Sequence, residues 1–156
     1  MPSAQTRSMQ TFGDDNALAS ESIAPEAEQV LERAVPEALS LGLDYVGTEA
    51  VLLAMVRLGA PALRDSLRRA GSSPVELEAA IRRSVEGSTV VPPSEPLPFA
   101  ARAIRAVEYA GQWARVSKRV QISNRDLLVG LLAEREGLAH SILADVGVDI
   151  TTVLDD

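Results

Sequence analysis

The chain contains no cysteine and a single histidine, and only 3% of its 156 residues are aromatic. Without cysteine there is no disulfide framework and no thiol nucleophile, a composition that fits a cytoplasmic protein. The one histidine, His140, stands beside Ser141 with no neighbouring base or orienting group, so serine–histidine chemistry is not provided for. A surface or half-buried histidine is the ordinary reading. The carboxylate runs Glu134-Arg135-Glu136 and Asp155-Asp156 lack metal-ligand partners at useful spacing, and neither a metal nor a cofactor is expected. A Gly-x-x-x-x-Gly-Lys-Ser/Thr phosphate loop is missing too, which excludes ATP binding of the P-loop kind. No apolar stretch approaches the roughly 20 residues of a membrane span, and residues 1–22 carry no signal-peptide core. The formal net charge of −7 disfavours nucleic acid and anionic membrane surfaces as partners.

What the chain does have is 46% hydrophobic residues, mostly Ala, Leu and Val, enough for one sizeable core of closely packed helices. It also repeats itself. Glu49-Ala50-Val51-Leu52-Leu53-Ala54-Met55-Val56 lines up with Arg125-Asp126-Leu127-Leu128-Val129-Gly130-Leu131-Leu132 at an offset of 76, and Leu67 and Gly71 then fall on Leu143 and Gly147. Upstream, Pro25-Glu26-Ala27 with Val30, Leu31 and Ala34 echoes Pro98-Phe99-Ala100 with Ala103, Ile104 and Val107 at an offset of 73, which implies a three-residue insertion in the first interhelical loop of the second copy. Two such copies cover each other's apolar faces and make one globule. The expected fold is all-α, with about eight helices in two four-helix repeats related by pseudo-twofold symmetry.

Residues 1–22 read as a flexible arm, 23–87 as repeat one, 88–96, with Pro92, Pro93 and Pro96, as an extended linker, and 97–156 as repeat two. In repeat one a helix begins at Pro25 with a kink expected at Pro36. Thr48 caps a second helix ending at Gly59, Pro61 opens a third that ends at Gly71, and Ser72-Ser73-Pro74 with Glu76 starts a fourth running to Gly87. In repeat two the helices run from Pro98 to about Val116, from a Ser123 or Asn124 cap to about Arg135, from Gly137 to Val146, and in a short stub from Asp149. Arg64, Arg68 and Arg69 share a helix, and Arg115, Lys118 and Arg119 crowd a loop. A solvated face is the ordinary reading of each cluster, and contact with an acidic partner is the alternative. Trp113 and Tyr109, four apart on one helix, serve either the core or a partner.

The segment Val46-Gly47-Thr48-Glu49-Ala50-Val51-Leu52-Leu53-Ala54-Met55-Val56 resembles the Gly-Thr-Glu-His-Leu-Leu-Leu-Ala-Leu motif of the N-terminal double-repeat domain of Clp-family AAA+ unfoldases, the ClpC type in particular. Ile142-Leu143-Ala144-Asp145-Val146-Gly147-Val148-Asp149 resembles that family's Val-Leu-x-x-Leu-Gly-Val-Asp segment, and the likeness runs from about Ile23 to the end of the sequence. It implies a monomeric, non-catalytic, peptide- or protein-binding module of the substrate- and adaptor-docking kind, here freestanding, without the ATPase ring. Partners implied are a Clp unfoldase, its substrates, or a cyclic peptide antibiotic directed at such domains, so adaptor, accessory and decoy roles are all open. An interaction or regulatory protein unrelated to proteolysis is the alternative.

In ClpC-type domains the motif glutamate of each repeat, with a threonine at the start of the first helix, is associated with binding phosphorylated arginine. A carboxylate pairs bidentately with guanidinium, while hydroxyl and helix-terminal amides take phosphate. Glu49, next to Thr48, matches the first glutamate. By the 73-residue offset the threonines become Ala24 and Leu97, the latter near Phe99, and the second glutamate becomes Arg125, which would repel guanidinium. Glu49, Thr48, Arg125, Ala24, Leu97 and Phe99 are therefore the candidate binding residues, expected in a groove between the repeats.

Overall fold

The computed structural model describes residues 22–86 and 97–154. The expected arm but for Ser22, the linker, Gly87 and the Asp155-Asp156 run lie outside the described residues. Repeat one contributes β1 (Ser22–Ile23), α1 (Pro25–Ser40), α2 (Thr48–Leu58), α3 (Pro61–Arg69) and α4 (Pro74–Ser84). Repeat two contributes α5 (Ala101–Val116), β2 (Gln121–Ile122), α6 (Asn124–Ala133), α7 (Leu138–Asp145) and α8 (Ile150–Leu154). The all-α reading holds, and the two strands are two-residue pairings rather than a sheet.

Local chemistry explains most boundaries. Pro25, Pro61 and Pro74 sit in first turns, where a missing N–H costs nothing. Left-handed glycines end several helices: Gly59 (φ 65°), Gly71 (φ 78°) and Gly147 (φ 89°). Ser73 accepts from Glu76 N–H at the start of α4, and Ser123 forms a full capping box with Asp126 at the start of α6. Helix α1 runs through Pro36, which is exposed, so the carbonyl it leaves unpaired lies on the solvent side. Helix α2 begins at the expected cap itself, one residue early. Gly47 is its N-cap and Thr48 its first residue, because the Thr48 hydroxyl is engaged elsewhere, accepting from Ala139 N–H of α7 at 3.1 Å. Helix α8 is short but anchored. Val153 is buried, Arg69 donates to the carbonyls of Thr152 and Val153, and Arg125 donates to that of Leu154.

The two repeats are laced crosswise. β1 pairs in parallel with β2, and Ala24 N–H donates to Ile122 O at 2.9 Å. On the other side Phe99 bridges Val46, with Val46 N–H donating to Pro98 O and Ala100 N–H to Val46 O, each at 2.8 Å. The segment before each repeat's first helix thus pairs with the loop before the other repeat's second helix.

These bonds correct the repeat register. Ala24 corresponds to Ala100 and Val46 to Ile122, both 76 residues apart, and α1 and α5 have the same length and end on the same offset. There is no three-residue insertion: the loops 41–47 and 117–123 match, and Lys118 (φ 64°) takes the left-handed position that Gly42 (φ 79°) fills in repeat one. The counterpart of Ala24 is accordingly Ala100, not Leu97. Pro98 is not helical, because its carbonyl is held by Val46.

Core packing follows the same symmetry with local changes. Ala27, Val30, Leu31, Ala34 and Ala38 of α1 are buried, as are their counterparts Ala103, Ala106, Val107, Ala110 and Ala114 of α5. Helices α5 and α6 approach closely at Gly130, where an added Cβ would stand 2.1 Å from Ala106 O. The counterpart of Gly130 in α2 is Ala54, and the counterpart of Ala106 in α1 is Val30. Repeat two also exchanges the apolar pair Leu43 and Ala50 for an ion pair between Arg119 and the fully buried Asp126. Trp113 and Tyr109 are half-buried, and Trp113 packs against the core.

Candidate functional site

The Gly-Thr-Glu tripeptide has a physical reading. Glu49, in the first turn of α2, folds its carboxylate back over Gly47, where any Cβ would come within 2.5 Å of Oε1. Thr48 caps α7 across the repeat boundary, and a Cβ on Gly137, the N-cap of α7, would meet the Thr48 hydroxyl at 2.8 Å. The two glycines are there because the acid and the hydroxyl occupy the space a side chain would need.

Glu49 is 2% exposed, and its Oε2 has no hydrogen-bond partner among the described residues. Burial raises its carboxyl above the ordinary range, and a hydrogen bond from its own backbone N–H offsets this in part. Burial also raises the Tyr45 hydroxyl, helped by the Glu49 and Asp44 carboxylates. Around Glu49 opens a cleft of about 380 Å³, walled by Tyr45, Gly47 and Thr48 from the entry to α2, by Ala100, Ala101, Arg102 and Arg105 from the start of α5, and by Glu136, Gly137 and Leu138 from the entry to α7. Arg102 pairs with Glu136 at 3.1 Å, and Arg105 pairs with the buried Glu134 at 3.3 Å. The cleft therefore has an acidic floor and a rim of paired arginines.

A second cleft, about 450 Å³, is the pseudo-twofold counterpart of the first. It is walled by Glu26 and Gln29 of α1, Ser123, Asn124 and Arg125 at the start of α6, and Leu58 with Ala60, Pro61 and Ala62 at the entry to α3. Every principal position has its equivalent 76 residues away, and the charges invert. Arg125 stands in the place of Glu49, and Glu26 in the place of Arg102. Asn124 stands in the place of Thr48, yet its Oδ1 is buried and finds no partner among the described residues. The bond that Thr48 accepts from Ala139 has no equivalent here, and the counterpart of Gly137 is Pro61, which opens α3.

The candidate residues thus fall into two clefts instead of one groove. Glu49 and Thr48 belong to the first and Arg125 to the second. Ala24 is buried in the crosswise pairing, Phe99 is half-buried in the other, and Leu97 is buried without lining either cleft. Ala100, Arg102, Arg105, Glu136 and Gly137 escaped the sequence reading. An unbroken 76-residue offset from Glu26 would have pointed to Arg102. His140 contacts Leu132 O through Nδ1 at 2.7 Å, away from both clefts. Among the described residues no group of His, Asp and Glu is arranged to hold a metal, and no helix is long and apolar enough to cross a membrane.

Comparison with known proteins agrees with this geometry. The model of the Clp repeat (R) N-terminal domain matches residues 5–91 and 98–156. The chain is 34% identical over 137 residues to the chloroplastic chaperone protein ClpC of Pisum sativum, covering 85% of this chain and 14% of that protein. It is 32% identical over 134 residues to a ClpA homologue, an ATP-binding subunit of the ATP-dependent Clp protease, from Cyanidium caldarium, covering 83% and 15%. The chain spans about one seventh of the length of these curated relatives. Among solved structures, the Hsp104 N-terminal domain from Candida albicans superposes with a TM-score of 0.72 at 16% identity, over 85% of this chain and 87% of that one. The ClpD N-terminal domain from Arabidopsis thaliana does so with 0.64 at 21%, over 87% and 93%. The family model spans nearly the whole chain and the curated relatives are about one third identical to it, so the chain belongs to the Clp repeat N-terminal domain family.

Proposed function

We propose that this chain is a non-catalytic docking module that receives a peptide or protein ligand between its repeats, acting in the cytoplasm as a monomeric accessory to a ClpC-type unfoldase. One observation carries this reading: a buried carboxylate, Glu49, with an unpartnered oxygen on the floor of a cleft assembled from both repeats. An unsatisfied buried acceptor favours a ligand that brings a donor, and a guanidinium or ammonium group brings charge as well. Arg102 and Arg105 on the rim favour an anion beside that cation, so a side chain bearing both is the best match for the first cleft. A module of this kind delivers ligands to an unfoldase as an adaptor, or withholds them, cyclic peptide antibiotics among them, as a decoy.

Calorimetric titration of the purified protein with phosphoarginine and with an N-domain-directed cyclic peptide, in the native protein and in Glu49→Gln, tests this. Binding of either ligand that is weakened at least tenfold by Glu49→Gln supports the docking reading. Binding of the cyclic peptide alone favours the decoy, and of phosphoarginine alone the adaptor. Silence toward both sinks it in favour of an interaction protein unrelated to proteolysis. That second reading draws on the exposed Val116 and Val120, which flank Lys118 and Arg119 on one loop.

A further inference from the structure

We propose that the second cleft binds the free C-terminus of a polypeptide whose last side chain is small and apolar. The inference rests on the docking-module reading and assigns the second cleft a ligand opposite in charge to that of the first.

Three features of the cleft converge on a terminal carboxylate. Arg125 presents a guanidinium whose Nη2 donates to Leu154 O at 3.2 Å, which fixes the group at the end of α8. Arg125 makes a further interaction besides this one, so the ligand joins existing contacts and does not meet a bare charge. A planar five-donor group of this kind is suited to carboxylate. Beside it Asn124, 8% exposed, carries the unpartnered Oδ1. An anion with no donor of its own, such as acetate, leaves that acceptor unsatisfied. A peptide C-terminus does not, because the N–H of its last residue lies two bonds from the carboxylate carbon and can donate to Asn124 while the carboxylate meets Arg125.

The opposite wall sets the side chain. Leu58, Ala60, Pro61 and Ala62 offer an apolar surface, and Leu58 is 42% exposed. A small aliphatic side chain covers that surface without needing a polar partner. Glu26 and Gln29 border the cleft on the α1 side, and the Glu26 carboxylate disfavours an acidic residue immediately upstream of the terminus. None of this holds in the first cleft, where the floor is an acid and the equivalent hydroxyl is already consumed by Ala139.

The test is fluorescence anisotropy with an N-terminally fluorescein-labelled octapeptide ending in Ala-Val, made as the free acid and as the carboxamide. The free acid is expected to bind at least about tenfold tighter than the amide, as one lost charge-assisted pair requires. Arg125→Gln reduces the acid to the level of the amide, and Arg125→Glu abolishes its binding, whereas Arg83→Gln on the exposed face of α4 leaves it unchanged. A penultimate Asp in the octapeptide weakens binding. Circular dichroism of each variant confirms that it remains folded. Equal binding of acid and amide, or a preference that survives Arg125→Gln, overturns the inference. No binding of either form overturns it too, and leaves the docking reading standing if the Glu49-dependent ligand still binds.

Discussion

Replacing Gly130 by alanine sets two local rules against each other. In an isolated helix the change is favourable by about 1 kcal/mol, because alanine restricts the unfolded chain and has the higher helix propensity. Here the new methyl would lie 2.1 Å from the Ala106 carbonyl oxygen, 3.0 Å from Ala110 N and 3.1 Å from the Ala110 methyl. All three belong to α5, and two are backbone atoms of a regular helix, so no rotamer change relieves the contact. The helix axes must part by more than about 1 Å to restore ordinary van der Waals separation. That movement unpacks buried Ala106, Val107, Ala110 and Leu127 together, and over-packing of this kind costs about 3 kcal/mol or more. The net expectation is a loss of about 2 kcal/mol, which for a domain of this size lowers Tm by roughly 6–10 °C. Urea unfolding followed by circular dichroism measures it directly, with the slope of the transition as a check that the native state stays compact. A neutral or stabilised Gly130→Ala variant would refute the close approach of α5 and α6.

Other perturbations read different parts of the molecule. Because burial raises the Glu49 carboxyl in the folded state, native protein binds more protons than unfolded protein between the unfolded and folded values. Stability therefore falls as pH rises through that window. Glu49→Gln should remove this fall and leave the variant more stable than the parent by about 1 kcal/mol at neutral pH, the cost of an unsatisfied buried charge outweighing its favourable place at a helix N-terminus; thermal melts from pH 4 to 8 decide it, and parallel curves refute it. Asp126→Ala breaks the capping box and strands Arg119, and a loss of about 3 kcal/mol is expected in chemical denaturation. Lys118→Gly relieves a left-handed backbone that Gly42 occupies without strain in repeat one, and Tm should rise by a few degrees, about 1 kcal/mol of backbone strain being removed.

Much of this architecture was legible in the sequence because the signals are local. Gly59, Gly71 and Gly147 end helices for the reason glycine always does, and the Ser73 and Ser123 caps are written beside the prolines and acids that accompany them. The register of α5 was misread for an equally physical reason. A helix brings residues three and four apart onto one face, so a slip of three still sets apolar on apolar: Ala103, Ile104 and Val107 imitate the pattern of Val30, Leu31 and Ala34 almost as well as Ala106, Val107 and Ala110 do. Burial separates the alternatives, since Ala106 and Ala110 are enclosed while Ile104 is only half-covered. The candidate site was half legible. Glu49 and Arg125 carry motif positions, but Arg102 reaches the cleft through a crosswise pairing of backbone bonds, and Glu136 and Gly137 lie beside the single bond from Ala139 N–H to Thr48, neither of which leaves a periodic pattern to read.

That crosswise pairing bears on how two unlike clefts could arise in one small protein. A single repeat on its own would expose both its leading segment and the loop that receives one. Two copies would satisfy each other as an isologous dimer, in which both clefts are bound to be the same. Joining the copies in one chain lifts that constraint: each substitution now enters a single cleft. Glu49 and Arg125, Thr48 and Asn124, Gly137 and Pro61 are divergences that two identical copies cannot hold. The covalent link between the repeats is thus what permits one molecule to hold an acidic cleft and a basic one.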